Sequence, residues 1–336
     1  MKIARQITIP HDALIYVAGH QGLVGSAVWR RLQLAGYNNV IGFRSSEIDL
    51  RDRPAVDRLF GRFAPDVVIL AAARVGGILA NVSRPADFLE DNLRIQVNVM
   101  DAARRAGVQR LLFLGSSCIY PKFAQQPITE SSLMTGALET TNDAYAIAKI
   151  AGVIHVQALR RQYGVNYIAA MPTNLYGPGD NFNLTNSHVL AALLRRIHEA
   201  KLANAETVTI WGSGMPRREF LFVDDLADAL LFLLEHYDSP EPINVGVGTD
   251  ITIRELAETI AGVVGWHGEF RFDSSKPDGT PRKLLDVSRI AALGWQANTS
   301  LRDGIKLTYE WFDANQSSIR GREANEANES QISGNR

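Results

Sequence analysis

The chain has 336 residues, 46% of them hydrophobic, and 35 Lys and Arg stand against 36 Asp and Glu. With a mean hydropathy of -0.07, it can bury a sizeable core; whole-chain disorder is excluded, and so is a global basic field that would draw it to nucleic acid. A single cysteine, Cys118, excludes an intrachain disulfide framework and a cysteine-cluster zinc site. Met1 to Asp12 is mixed and polar, unlike a signal peptide, and no stretch approaches the ~18 apolar residues of a membrane span. The expectation is a cytoplasmic protein with no membrane and no nucleic-acid partner.

Ala13 to Ala18 reads as a buried strand, followed at once by glycines. Gly22 to Gly36 has a helical pattern, Val40 to Phe43 is a short strand and Pro54 to Phe63 a helix. Asp66 to Ala71 is a strand, Asp87 to Gly107 a long helix and Arg110 to Leu114 a strand. Thr141 to Gly164 is a helix and Val165 to Met171 a strand. Short apolar strands alternating with helices predict an α/β fold: a Rossmann-type, doubly wound parallel sheet covered on both faces. After Met171 the rhythm changes. Pro172 to Asn186 reads as a loop, Ser187 to Leu202 as a helix and Val208 to Trp211 as a strand. Asp224 to Tyr237 is helical, Ile243 to Val245 a strand, Thr252 to Gly265 a helix, and Phe270 to Asp286 a polar region. The expected division gives residues 1–173 and 218–246 to a nucleotide-binding domain. Residues 174–217 and 247–314 form a smaller substrate-binding domain, and 315–336 a disordered tail rich in Asn, Ser and Glu.

Gly19-His20-Gln21-Gly22-Leu23-Val24-Gly25 spaces glycines every third residue between a strand and a helix. Such a turn lets backbone approach a pyrophosphate and aims helix N-terminal amides at it. The second strand ends Phe43-Arg44-Ser45-Ser46, without the acidic residue that usually binds an NAD ribose. A cation with hydroxyls suits a 2′-phosphate, so the expected cofactor is NADP, with Arg44 as chief phosphate ligand.

An isolated cysteine is ordinarily a small buried hydrophobe. Cys118, however, sits at a strand end in Gly115-Ser116-Ser117-Cys118-Ile119-Tyr120-Pro121, and about thirty residues beyond Ser116 comes Tyr145-Ala146-Ile147-Ala148-Lys149. Tyr145 and Lys149, four apart, share a helix face. A nearby ammonium is expected to lower the tyrosine pKa from its ordinary value near 10. Ser116 can hydrogen-bond the same substrate oxygen. This constellation resembles the extended short-chain dehydrogenase/reductases, whose triad maps to Ser116, Tyr145 and Lys149. That resemblance implies that the tyrosine moves the substrate oxygen's proton and the lysine holds the nicotinamide ribose. It also implies a dinucleotide lined by the glycine loop, Leu114 to Ser117, Pro172-Thr173-Asn174-Leu175 and His188, with Asn174 at the nicotinamide side.

Longer segments narrow the resemblance. Ala71 to Ile78, Gly115 to Lys122, Tyr145 to Gly152, Met171 to Pro178, Asn186-Ser187-His188-Val189, Trp211 to Gly214 and Lys276 to Lys283 resemble the GDP-L-fucose synthases, from about residue 13 to 314. Such enzymes epimerise C3 and C5 of GDP-4-keto-6-deoxy-D-mannose and reduce C4 with NADPH. Protons flanking a ketone are acidic through an enolate, and inversion needs a base on one face and an acid on the other. The resemblance implies Cys118 as base and His188 as acid; related 4,6-dehydratases carry a proton-moving glutamate at the Cys118 position. It implies a GDP-sugar held by Arg196, Trp211, Arg218, Asp278 and Lys283, and a homodimer formed through helices around 88–106 and 145–162. Two departures stand out. Gln21 replaces an arginine common in the glycine loop, which weakens the case for strict NADPH use, and Phe222 replaces a common histidine. Two alternatives remain at this level. A sugar-nucleotide 4-epimerase or 4-reductase would need the triad without Cys118 and His188, and a non-enzymatic NADP-binding regulator would need neither Tyr145 nor Lys149.

Overall fold

The computed structural model describes residues 7–184, 187–275 and 278–318. Asn186, Lys276, Pro277 and residues 319–336 of the expected tail lie outside the described residues.

The first half alternates strand and helix as the apolar pattern requires: β1 (Ile15–Ala18), α1 (Leu23–Leu34), β2 (Val40–Ile41), α2 (Arg53–Phe63), β3 (Val67–Leu70), α3 (Ile78–Ser83), α4 (Pro85–Arg105), β4 (Arg110–Leu114), α5 (Asp143–Tyr163) and β5 (Asn166–Pro172). The second half holds β6 (Asn174–Tyr176), α6 (Val189–Leu202), β7 (Thr207–Trp211), β8 (Arg217–Arg218), β9 (Phe220–Phe222), α7 (Val223–His236) and β10 (Ile243–Val245). It continues with β11 (Ile251–Thr252), α8 (Ile253–Val264), β12 (Glu269–Asp273), β13 (Arg282–Lys283), α9 (Ser288–Leu293) and α10 (Leu301–Ala314). Gln316–Ser318 add a 3-10 turn, so regular structure runs past the expected end at 314.

Six strands make one sheet in the order β10-β5-β4-β3-β1-β2, all parallel. Strand alternation splits β1 between two cores. Ile15 and Val17 pack with Val28 and Leu32 of α1 and with α7, while Tyr16 and Ala18 pack with α2, α4 and α5 on the other face. Each such buried aliphatic or aromatic side chain contributes about 1.5–3 kcal/mol. A third core lies among α6, α8, α10 and β7. Strand β9 feeds two of them: Leu221 enters the core beside α7, and Phe220 and Phe222 enter the third. Phe222, where a histidine was noted as common, tilts against Tyr176 at 5.7 Å between ring centroids.

Two stretches differ from expectation. The loop read over 172–186 contains β6, which pairs with β9, and the polar region over 270–286 contains β12 and β13, which pair with β7 and β8. These strands are short or half-exposed, and their partners are remote in sequence, so no local apolar run marks them. The second strand also ends at Ile41, two residues early.

Candidate active site

The sheet order reverses beside β1, where open α/β sheets leave a crevice at their carboxyl ends. The glycine turn lies there. Gly19 takes φ +84°, and a side chain on it would meet Ala72 backbone at 2.8 Å; one on Gly25 would meet Gly19 O at 2.1 Å. Gly22 caps α1 with no side-chain bond, leaving the first-turn amides of a twelve-residue helix for another acceptor. This tight, uncapped cradle fits a dinucleotide pyrophosphate. His20 folds over the end of β2: a Cβ at Gly42 would lie 2.5 Å from its ring, and its Nδ1 is buried without a partner. Burial lowers its pKa, with Glu47 opposing and Arg44 adding to the effect. Arg44 is exposed, and its backbone N–H donates to Glu47 Oε2 at 2.7 Å. An acid therefore stands beside the expected phosphate ligand, which the sequence reading overlooked.

At the end of β4 the chain turns through Gly115, whose missing side chain leaves room for Met171. It then forms a 3-10 turn over Ser117–Ile119. Ser116 Oγ accepts from the Cys118 N–H at 3.2 Å, and Tyr120 anchors the turn by donating to Asn244 Oδ1 at 2.6 Å. Helix α5 approaches β4 closely because Gly152 faces Phe113. That approach brings Tyr145 and Lys149 to Ser116. Lys149 is buried; its Nζ donates to Leu114 O at 2.8 Å and lies 4.9 Å from the Phe113 ring centroid. Burial pushes its pKa down to about 7. The Tyr145 phenol is pushed up by burial and by the charge of Cys118, with a hydrogen bond to Ser116 pulling the other way. The expectation that Lys149 lowers it therefore does not hold in the protein alone: the ammonium is directed at Leu114 O and stands 5.9 Å from the Tyr145 ring centroid.

Cys118 is half-buried and meets Lys283, whose Nζ donates to Sγ at 3.6 Å. Burial alone would raise the thiol; the Lys283 charge, with hydrogen bonds from Ser116, Lys283 and Asn142, brings it below its ordinary value. His188 caps α6 and keeps an exposed edge. Desolvation by the groups around it, and then the Lys283 charge, lower its pKa. Arg218 is also lowered by desolvation, with Cys118, Glu139 and Asp278 pulling it up. Thus Ser116, Cys118, Tyr145, Lys149, His188, Arg218 and Lys283 converge.

Arg196, Trp211 and Asp278 form a second group. The Arg196 guanidinium carbon lies 6.0 Å from the Trp211 ring centroid and its Nη1 donates to Thr209 O at 3.0 Å, whereas Arg195 pairs with Glu199 at 2.7 Å. Trp211 is half exposed, so it is a wall rather than core. Asp278 accepts from Ser213 N–H and Oγ–H at 2.6 and 2.8 Å.

Three further residues shape the site. Asn142 reaches Cys118. Glu139 pairs with Lys122 at 3.0 Å and accepts from Thr280 at 3.3 Å. Glu219 is fully buried; its carboxylate accepts N–H bonds from Val247, Gly248 and Leu285 at 2.6–3.0 Å, and its carbonyl accepts from Thr173 and Asn174. The Asn174 amide is thus tied to the Glu219 carbonyl. Only the run of charge in Arg217-Arg218-Glu219 hinted at Glu219, since its partners come from other parts of the chain.

Residues 15–246 match the model of the NAD dependent epimerase/dehydratase family. The chain belongs to that family. It is 57% identical to GDP-L-fucose synthase 1 of Arabidopsis thaliana over 301 residues, 90% of this chain and 93% of that protein. It is 52% identical to the GDP-L-fucose synthase of Escherichia coli (strain K12), over 91% of this chain and 98% of the relative. The solved structure of a GDP-L-fucose synthetase from Naegleria fowleri bound to NADP superposes with a TM-score of 0.86 at 30% identity, covering 94% of this chain and 98% of that one. By identity the chain groups with the GDP-L-fucose synthases.

Proposed function

We propose that this chain is a GDP-L-fucose synthase: it inverts C3 and C5 of GDP-4-keto-6-deoxy-D-mannose and reduces its C4 ketone with NADPH. The observation that carries this reading is the thiol of Cys118, paired with Lys283 and adjoining the Ser116/Tyr145/Lys149 cluster. It joins carbon acid-base chemistry to ketone reduction in one cleft. High identity to GDP-L-fucose synthases along nearly the whole chain supports it.

Gly19 to Gly25 and Arg44, with the strand ends at 114–117 and 172–175, would hold NADPH, which would supply the hydride for C4. Tyr145, kept protonated by burial, gives its proton to the C4 oxygen, and Ser116 orients that oxygen. Lys149 meets the nicotinamide ribose and supports the tyrosine. Cys118 takes a proton from C3 or C5, and His188 delivers one to the opposite face. His188 needs the imidazolium for that role. The site disfavours it until a negatively charged diphosphate arrives to offset Lys283. Arg196 and Arg218 offer forked donors to that diphosphate, Trp211 packs on the guanine or sugar, and Asp278 and Lys283 close the pocket around the sugar. On this reading residues 1–173 and 218–246 hold the dinucleotide, and 174–217 and 247–314 hold the sugar nucleotide.

The same reading carries a homodimer. Helices α4 and α5 pack side by side and leave Val97, Ile147 and Ile154 exposed, an apolar face suited to a second copy. No helix among the described residues is long and apolar enough to cross a membrane; a cytoplasmic location goes with this reading.

Two variants separate the half-reactions. In heavy water with GDP-4-keto-6-deoxymannose, Cys118→Ser should lose deuterium entry at C3 and C5 while still binding NADPH. Tyr145→Phe should keep that entry and lose NADPH oxidation by about 100-fold or more, the scale of a general acid. Wild-type exchange in Cys118→Ser would remove the epimerase assignment and leave a 4-reductase.

A further inference from the structure

We propose that Lys283, assisted by Asn142, holds Cys118 as a thiolate in the resting enzyme, so that Lys283 activates the base as well as closing the pocket around the sugar. This deepens the epimerase reading above and rests on it for its purpose, but its test does not.

Three observations carry it. Lys283 Nζ lies 3.6 Å from Sγ, within reach of a charge-assisted bond. Its neighbour on β13, Arg282, pairs with Asp250 at 2.5 Å, which pins the strand that carries Lys283. Asn142 occupies the cap position of α5, where an asparagine side chain ordinarily accepts an N–H from the first turn. Here it makes no such bond. Its amide reaches Cys118, and its Oδ1 is buried with no partner.

The groups facing the sulfur come from each element around it: Ser116 from its own turn, Asn142 and Tyr145 from α5, Arg218 from β8 and Lys283 from β13. The phenol is neutral in its raised state, and Glu139 and Lys122, which line the same cavity, pair with each other at 3.0 Å, which leaves Arg218 and Lys283 as the net charge near the sulfur. Burial works against a thiolate, and these donors outweigh it. In the reaction the thiolate takes the proton at C3 or C5. The C–H bond breaks, an S–H bond forms, and the electron pair moves onto the C4 ketone as an enolate. His188 then donates its imidazolium proton to the opposite face of that carbon, which restores the ketone; the Cys118 thiol releases the proton it took to solvent water, and His188 takes one back from it.

The chain has one cysteine, so alkylation by iodoacetamide, followed by mass, reports this sulfur alone. Rates are measured against pH in the full-length protein without substrate. The wild-type midpoint should fall below the ordinary thiol value of about 8.5. Lys283→Met should raise it by about one unit, a tenfold loss of thiolate at fixed pH below both midpoints. Asn142→Ala should move it the same way by less, and Lys283→Arg, which keeps a cation on β13, should restore most of the shift. A wild-type midpoint at or above 8.5, or one that Lys283→Met leaves unchanged, overturns the proposal. Deuterium exchange persisting in Cys118→Ser while the alkylation shifts hold would overturn the epimerase reading and leave the thiolate standing.

Discussion

Lys149 is the buried charge with the clearest consequence for stability. Its pKa in the folded protein is about 7 against an ordinary 10.5, and the cause is burial. Between those values the unfolded chain binds a proton that the folded chain lacks. Stability therefore rises with pH across that window, and below pH 7 the folded state bears the full cost of the buried ammonium. Urea midpoints of the protein without nucleotide should climb from pH 7 toward 10, and Lys149→Met should flatten that slope. An equal slope in the variant would assign the dependence to other groups. The triad itself was legible in the sequence, because Tyr145 and Lys149 declare a helix face and Ser116 ends an apolar strand. The partners of Cys118 were not. Lys283 is 165 positions away, and Asn142 looks like an ordinary helix cap. In the protein alone Lys149 does not lower Tyr145, because proximity along a helix does not say where an ammonium points; this one points at Leu114 O.

The strand–turn–helix unit β1–α1 is the element most fully written in the sequence, since its glycines are required by contact and not by flexibility alone. A methyl on Gly25 would press to 2.1 Å from Gly19 O, backbone against which nothing can rotate away. Gly25→Ala should cost at least about 2 kcal/mol of stability, within the overpacking range, and should lower NADPH affinity at least about tenfold, or 1.4 kcal/mol. Fluorescence titration and a thermal melt check both; unchanged affinity would mean the pyrophosphate does not use this turn. The elements missed from sequence, β6, β12 and β13, have the opposite character. Each exists by pairing with a distant strand, and half-exposed residues such as Glu269 and Arg271 give no apolar run to read. Because β13 carries Lys283, the contact between Lys283 and Cys118, unlike Lys283 itself, rests on an element that the sequence does not mark.

At the scale of the molecule, the exposed face of α4 and α5 should bring two copies together. Light scattering should return about twice the 37.0 kDa chain mass, and Ile147→Glu should return the single mass with its fold intact. A wild-type monomer at micromolar concentration would refute the dimer. The fully buried Glu219 has a wider consequence. Its carboxylate gathers backbone N–H groups from Val247 and Gly248 and from Leu285, two residues past Lys283, while its carbonyl accepts from the side chains of Thr173 and Asn174 at the end of the main sheet. Cys118 stands on the sheet side of this knot and its ammonium on the other. Neither half of the chain contains a reactive sulfur by itself: the nucleophilic character of Cys118 is manufactured only where the two halves are tied. A lesion of the Glu219 carboxylate, remote from any substrate atom, would thus loosen Leu285 and with it the strand that brings Lys283 to the sulfur, and so disarm the carbon chemistry.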